Sequence, residues 1–383
     1  TKDTGTQVQL PKFIELTPSQ LGQWVLYQSH KECPFYNNTF ALHFKGELDT
    51  ERLLNSLERV VQDQDALRMR LTTGEEGGVK LWIQSAVAIA IPIMDLTEQT
   101  EVQQELHLKE LIYVEANKPF LLEREALSRF SLIKLGNDHH ILLGSMHHII
   151  SDGWSIRVLT EALMRCYENQ PSHNLEAEDH STYTYGHFLL EQHKWMSSGD
   201  PLLTEQIGYW KRALAEEFPT LNLPLNYSRP PIQTYQGQTI EYALEQELAS
   251  SIKEACKQTQ STLYMFMLSV YASLLYRYTG QKQIRIGTVL ANRNWPQSDE
   301  WIGYLANTLA LSVDFTEATD FESLLAQVKT TALEAQENQN IPLELLLREL
   351  QIKPMPDRSP LFQTVFTVQN AHQSAYNMDK TKV

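Results

Sequence analysis

Hydrophobic and polar positions along this chain switch between a period of two and a period of three to four, and the switches mark its elements. Thr17-Pro18 opens a helix, threonine as cap and proline in the first turn, ahead of Leu21, Trp24, Val25 and Gln28. Residues 40–46 alternate as a strand, and Asp49 then caps a helix whose Leu53, Leu54, Leu57, Val60 and Val61 share one face. A helix is expected from about 98 to 117, with 98–105 on its solvated side. Residues 130–135 and 140–146, joined across Gly136-Asn137-Asp138, read as a hairpin, and 154–168 as the helix that follows. A helical block covers 183–215 and carries Phe188, Leu189, His193, Trp195, Tyr209 and Trp210.

Residues 219–232, which include Pro230-Pro231, interrupt regular structure. Beyond them the pattern predicts a strand at 238–244, helices near 246–258 and 261–278, and a strand at 283–290. Helices at 321–337 and 342–350 and a last strand at 361–368 follow. Tyr264, Phe266, Tyr271 and Tyr276 form a stripe expected to be core. Strands and helices alternate in both halves, which predicts an α/β fold of two subdomains.

Composition narrows the partners. The 383 residues are 42% hydrophobic and 21% charged, ordinary for a globular protein. A net charge of −15 without any basic run excludes nucleic acid and an anionic membrane surface as partners. Residues 263–278 are the most apolar stretch, but Ser269, Ser273 and Arg277 make it a buried helix rather than a membrane span. Cys33, Cys166 and Cys256 lie in no metal-like spacing and fit buried thiols in a reducing cytoplasm. No signal peptide is visible, and the first residue is Thr1, so the chain is expected to be part of a larger or processed polypeptide.

The chemistry concentrates in Met146-His-His-Ile-Ile-Ser-Asp-Gly-Trp-Ser155, at the exit of the hairpin's second strand. A histidine side chain ordinarily titrates near physiological pH, which makes His147 and His148 candidate bases, and Asp152 supplies a neighbouring carboxylate. Gly153 is expected to permit a sharp turn, and its N–H to face a developing oxyanion. By spacing alone Asp152 reads as a carboxylate that orients a base, as in a triad. His139-His140 lacks the Asp-Gly that follows the second pair and reads as a hairpin end. No third-ligand spacing supports a metal, and none is expected.

This run resembles the His-His-x-x-x-Asp-Gly signature of the condensation domains of nonribosomal peptide synthetases. Other stretches are similar to the family's motifs and fall in its order. Leu16-Thr-Pro-Ser-Gln-Leu-Gly-Gln-Trp24 resembles the opening motif, with Gly22 in place of arginine. Asp65-Ala-Leu-Arg-Met-Arg70 resembles the next, with Gln64 in place of histidine. Tyr185 to Trp195 approximates the aromatic motif. Ile302-Gly-Tyr-Leu-Ala-Asn-Thr-Leu309 keeps Gly303, Asn307 and Thr308 of a Gly-x-Phe-Val-Asn-Thr motif. Asn338-Gln-Asn-Ile-Pro-Leu-Glu344 resembles a Gln-Asp-x-Pro-Phe-Glu motif, with Asn340 and Leu343 as departures, and Ser359-Pro-Leu-Phe-Gln363 resembles the last one. The family continues past that motif, whereas Asn370 here leads into a polar tail.

The resemblance implies two chloramphenicol-acetyltransferase-like subdomains, 1–180 and 181–383, in a V-shaped pseudo-dimer with the active site in a tunnel between them, the second incomplete at its C-terminus. It implies peptide-bond formation between a donor acyl thioester and an acceptor aminoacyl thioester. Both ride on the phosphopantetheine arms of carrier domains, alongside adjacent synthetase domains, and the domain has no cofactor of its own. His148 matches the second histidine and would meet the attacking amine, with His147 supporting the loop. Asp152 would pair structurally with Arg293, and Trp154, Ser155 and Asn307 are tunnel or motif candidates. Ester formation uses the same motif. A condensation-like docking module that recruits a tailoring enzyme is the alternative from another class, since Gly22, Gln64, Asn340 and Leu343 depart from the pattern.

Overall fold

A computed structural model describes residues 10–74, 78–168, 183–216, 218–353 and 355–369, and the backbone of 381–382. The expected boundary at 180/181 and the polar tail from 370 to 380 lie outside the described residues. Contacts divide the chain into two compact units. One comprises Thr1–Ser198, Arg293–Leu305 and Ala371–Val383; the other comprises Gly199–Asn292 and Ala306–Asn370.

The first unit is built in chain order from β1 (Phe13–Glu15), α1 (Pro18–Ser29), β2 (Asn37–Gly46), α2 (Thr50–Asp63), β3 (Met69–Thr73), β4 (Val79–Ile83) and β5 (Ile93–Asp95). There follow α3 (Glu101–Asn117), β6 (Ser128–Lys134), β7 (His139–His147), α4 (Gly153–Glu168) and α5 (Tyr185–Ser197). Its main sheet runs β2-β7-β6-β5, with Thr381–Lys382 on the outer edge of β2; β5 lies parallel to β6, and the other pairs are antiparallel. A second sheet has the order β1-β4-β3.

Side-chain alternation makes the main sheet the middle of three layers. Leu132 and Leu142 face a core shared with Leu57 and Val61 of α2 and Leu159 and Leu163 of α4. Their neighbours Ile133, Ile141 and Leu143 face the opposite side, where Leu108, Leu111 and Ile112 of α3 pack. With both faces covered, β7 is buried along nearly its whole length, which explains its unbroken apolar run. Gly144 is dictated by packing, since a Cβ there would stand 2.4 Å from the Phe40 ring.

In the second unit, α6 (Pro201–Ala213), α7 (Gln246–Gln258) and α8 (Leu263–Thr279) precede β8 (Gln283–Leu290), β9 (Asn307–Asp314), α9 (Phe321–Glu337) and α10 (Leu343–Glu349). β8 and β9 pair antiparallel, from Gln283 opposite Asp314 to Leu290 opposite Asn307. The aromatic stripe of α8 packs within this unit: Tyr264 donates to the Thr288 hydroxyl at 2.8 Å, and Tyr276 stacks on Phe315.

The structure differs from expectation at several places. Of the three cysteines expected to be buried thiols, Cys256 is buried, Cys166 is half-buried and Cys33 is exposed. The helical block at 183–215 is two helices, because the chain turns at Gly199, whose φ of 69° lies in the left-handed region. The strand expected at 238–244 is irregular, since no neighbouring strand offers it a ladder among the described residues. The last strand shrinks to one parallel bridge between Val365 and Gly287, flanked by Gly287 N–H to Thr364 O and Phe366 N–H to Gly287 O, both 2.9 Å. No described helix is long and apolar enough to cross a membrane.

Candidate active site

β7 ends at His147, and the chain reaches α4 through a tight connection. His147 is buried; its Nδ1 accepts the Ile149 N–H at 3.1 Å, and its carbonyl accepts the Ile150 N–H at 3.0 Å and the Ser151 hydroxyl at 3.1 Å. Its ring meets Phe120 and Tyr36 edge-on. Burial, with the neighbouring His148 and Arg129 charges, pushes its pKa down to about 3, so it stays neutral. A neutral acceptor at Nδ1 leaves the proton at Nε2.

His148 keeps some accessible surface. Its N–H donates to Tyr36 O at 2.8 Å, and its ring lies edge-on to Tyr304, centroids 4.8 Å apart at 75°. Burial pushes its pKa down, while the carbonyls of His148 and Ser151 and the Asp152 carboxylate pull the other way. None of these carbonyls meets hydrogen-bond geometry at Nδ1, which has no partner. The result is an imidazole biased to the neutral form beside a carboxylate, able to accept a proton.

Asp152 is not free to act as a base. Only 1% exposed, it accepts Arg293 Nη2 at 2.8 Å on Oδ1 and 3.0 Å on Oδ2. Oδ1 also accepts the Ser155 N–H at 3.0 Å, capping α4, and Oδ2 accepts the Leu305 N–H at 3.2 Å. Arg293 spends Nη1 on the carbonyls of Ser298 and Trp301. Arg293 lies in the 293–305 segment, which packs with the first unit despite its late position in the chain. The pair thus stitches that segment to the start of α4.

Ser155, fully buried, makes the same connection. Its hydroxyl accepts the Asp152 N–H at 3.1 Å and the Gly303 N–H at 3.2 Å. Its single proton faces both Asp152 Oδ1 at 2.8 Å and Gly303 O at 3.0 Å. Trp154 is half-buried, donates Nε1–H to Asp299 O at 3.1 Å and lies under the Arg157 guanidinium. Gly153 opens α4 without a left-handed φ, and a Cβ there would meet nothing within 4 Å. The turn therefore does not require glycine; what glycine leaves at that position is open space. Asn307 belongs to the second unit, where its Nδ2 donates to Gln339 O at 2.7 Å and Ile341 O at 2.6 Å, fixing the start of β9 to the approach of α10.

Some residues that matter here carried no chemical signal in the sequence. Gln64, standing where the family has histidine, accepts the Ile302 N–H at 2.9 Å and donates to Glu300 O at 3.2 Å. An amide supplies both a donor and an acceptor, so the substitution keeps the segment tied. Gly303 is fixed by sterics, because a Cβ would stand 2.5 Å from the Tyr185 ring. Gln20 and Tyr185, buried under the histidine loop, were legible only as parts of motifs. Elsewhere, His139 Nε2 lies 3.3 Å from His43 Nδ1 on the β2–β7 pair, away from the connection to α4. Among the described residues no three His, Cys, Asp or Glu side chains gather as a metal site would require.

Known proteins place this arrangement. The chain is 34% identical over 354 residues to surfactin synthase subunit 1 of Bacillus subtilis strain 168, covering 92% of this chain and 9% of that one. It is 31% identical over 358 residues to gramicidin S synthase 2 of Brevibacillus brevis, covering 94% and 8%. It thus spans a small fraction of these relatives. Among solved structures, the X-domain from teicoplanin biosynthesis superposes with a TM-score of 0.82 at 23% identity, over 94% of this chain and 78% of that one. The condensation domain of the monacolin K polyketide synthase MokA gives 0.79 at 20% identity, over 93% and 81%. Both show the chloramphenicol-acetyltransferase-like α/β fold. The model of the family described as condensation domain matches residues 11–382, and the chain belongs to that family, the condensation domains of nonribosomal peptide synthetases.

Proposed function

We propose that this domain forms an amide bond between a donor acyl or peptidyl thioester and an acceptor aminoacyl thioester. Both are delivered on phosphopantetheine arms by carrier domains of a cytoplasmic multidomain synthetase, and the domain needs no cofactor of its own. The observation that carries this reading is His148, a partly accessible imidazole biased to the neutral form, beside an aspartate already committed to Arg293.

The acceptor's amine nitrogen attacks the donor carbonyl carbon. The C–N bond forms as the C–S bond breaks, and the amine proton ends on the departing thiolate. Holding the two ends together supplies much of the acceleration, since effective molarities reach roughly 10⁵ M or more. His148 accepts a hydrogen bond or proton from the amine, which contributes on the order of 10²–10⁴-fold if the proton moves. An aliphatic α-amine is partly neutral near pH 7–8, so orienting it is part of the task. His147, neutral and bonded to its own loop, supports the geometry, as do Asp152 and Arg293. The open space at Gly153 leaves room beside the first N–H groups of α4 for the carbonyl oxygen.

The likeness to the X-domain, which has been solved in complex with OxyB, favours a second reading, a docking module that catalyses nothing. A condensation assay with loaded donor and acceptor carriers, read by intact-protein mass spectrometry, separates the two. The expected result is product from the wild type and a loss of at least about 10²-fold in His148→Ala. Equal rates would remove His148 as a proton acceptor. No product from a folded wild type with cognate carriers would favour the docking module, and a hydroxyl acceptor in place of the amine tests ester formation.

A further inference from the structure

Two backbone segments meet at His148, and one buried polar pair holds both. The carbonyl of Ile149, next in the chain, accepts Gln20 Nε2–H at 2.9 Å. The same amide lies 3.4 Å from the Tyr185 hydroxyl. That hydroxyl accepts the Tyr304 N–H at 3.1 Å and lies 3.3 Å from Tyr304 O, so it clamps Tyr304's peptide groups on both sides. Gln20 and Tyr185 are almost wholly buried, at 0% and 2% exposure. Tyr304 in turn sets its ring edge-on against His148. The amide's Oε1 also accepts the Thr17 N–H at 3.1 Å, which anchors it to the start of α1. A buried hydroxyl and an anchored amide that bond to the backbones carrying two facing rings act as a spacer between those rings.

We propose that Tyr304 is a positioning residue for His148, and that Gln20 and Tyr185 set the distance between the two rings. The proposal rests on reading His148 as the group that meets the amine. The aromatic edge contact restricts the imidazole's rotation and covers one side of it from water, leaving the rest for substrate. A covered imidazole disfavours its charged form, which keeps it an acceptor at neutral pH. The other titratable groups at the ring are Asp152, held by Arg293, the neutral His147 on the same strand end, and Tyr36, whose ring is edge-on at 6.1 Å.

The test follows His148 by ¹⁵N-histidine NMR titration in the whole domain, alongside the pH profile of kcat/KM for condensation. Tyr304→Leu removes the ring edge. It should move the His148 titration up by at least about half a pH unit toward the ordinary histidine value. The acidic limb of the kcat/KM profile should move with it, and kcat should fall more than KM rises. Tyr304→Phe restores the ring and should return both readouts to wild type. Tyr185→Phe keeps the packing and deletes only the clamp; a smaller shift in the same direction is expected.

An unmoved His148 titration in Tyr304→Leu, or equal shifts in Tyr304→Phe and Tyr304→Leu, would overturn the ring's role. An unmoved titration in Tyr185→Phe, with only a lower melting temperature, would overturn the spacer. The NMR readout needs no substrate. A wild type that condenses nothing but titrates as described therefore fails the functional reading and leaves the positioning intact.

Discussion

The connection from β7 to α4 and the connection from α6 to α7 are both irregular, and they are held in opposite ways. In the first, His147, Asp152 and Ser155 are 5%, 1% and 0% exposed, and bonds to the Arg293 side chain, the Gly303 carbonyl and the Leu305 N–H engage Asp152 and Ser155. The second is pinned where Leu221 and Asn222 donate to the side-chain oxygens of Gln363 and Gln281, at 2.8 and 2.7 Å. It is pinned again where the Gln233 N–H donates to Pro356 O at 2.9 Å. Every residue from 224 to 245 is nonetheless exposed, Ile240 and Tyr242 at 88% and 85%. An irregular backbone is fixed when its polar groups find specific partners, and apolar side chains alone do not fix it.

The largest break in this contrast comes from removing one partner of the buried pair. Arg293→Ala leaves the Asp152 carboxylate buried with its charge uncompensated, and such truncations cost about 3–5 kcal/mol. Urea unfolding followed by tryptophan fluorescence should show the midpoint falling accordingly. A cost under about 1 kcal/mol would mean that the pair is not what holds the connection.

Gly303→Ala strikes the same node through sterics. The added methyl would enter the Tyr185 ring, which is fully packed and cannot give way without moving the Tyr304 clamp. Overpacking of this kind costs about 1–3 kcal/mol. The same substitution at Gly153, where a Cβ meets open space, is expected to leave stability within about 0.5 kcal/mol of wild type. Thermal melts of the two variants side by side check the pair, and similar losses would contradict the packing described at both glycines.

These regions differ in how far the sequence discloses their structure, for physical reasons. Long amphipathic helices such as α2 were legible because one apolar face meets one core, and Leu53, Leu57, Val60 and Val61 are all buried. α1 reversed the rule: Leu21 and Val25 are exposed while Gln20 and Gln23 are buried. Its inner face was chosen by hydrogen bonds such as Gln20 to Ile149, which periodicity does not register. Residues 238–244 alternate as a strand should, yet a strand needs a neighbour to receive its backbone bonds, and pattern says nothing about neighbours. At the site, adjacency alone brought His147, His148 and Asp152 onto one connection. Arg293, 141 positions from Asp152, was reachable only through the family's motif, and Tyr304 beside His148 by no signal at all.

Protons offer a gentler way to sharpen the comparison. His147 has a folded pKa near 3 against an ordinary value near 6.5. Above about pH 6.5 both folded and unfolded chains carry it neutral, and it adds no pH dependence. Between about 6.5 and 3 the unfolded chain binds a proton that the folded one refuses, so stability falls on acidification, by at most about 1.4 kcal/mol per pH unit. His147→Gln should therefore lose less stability than wild type between pH 6.5 and 5.5. Parallel pH curves for the two would show that His147 is hydrated in the folded state.

The smallest expected effect belongs to the α6–α7 connection. Ile240 and Tyr242 project into solvent, so replacing either by serine deletes no packing and creates no cavity. The change in unfolding free energy should stay within about 0.5 kcal/mol, the range of exposed sites away from special features. Urea titrations of Ile240→Ser and Tyr242→Ser, run beside Ser155→Ala, make the contrast quantitative. Ser155→Ala removes only one oxygen, yet it strips partners from the N–H groups of Asp152 and Gly303, and an unsatisfied buried group costs about 1–3 kcal/mol. If the two serine replacements cost as much as the lost hydroxyl, residues 238–244 are packed in solution, and their alternating pattern has found a neighbouring strand that the described residues do not offer it.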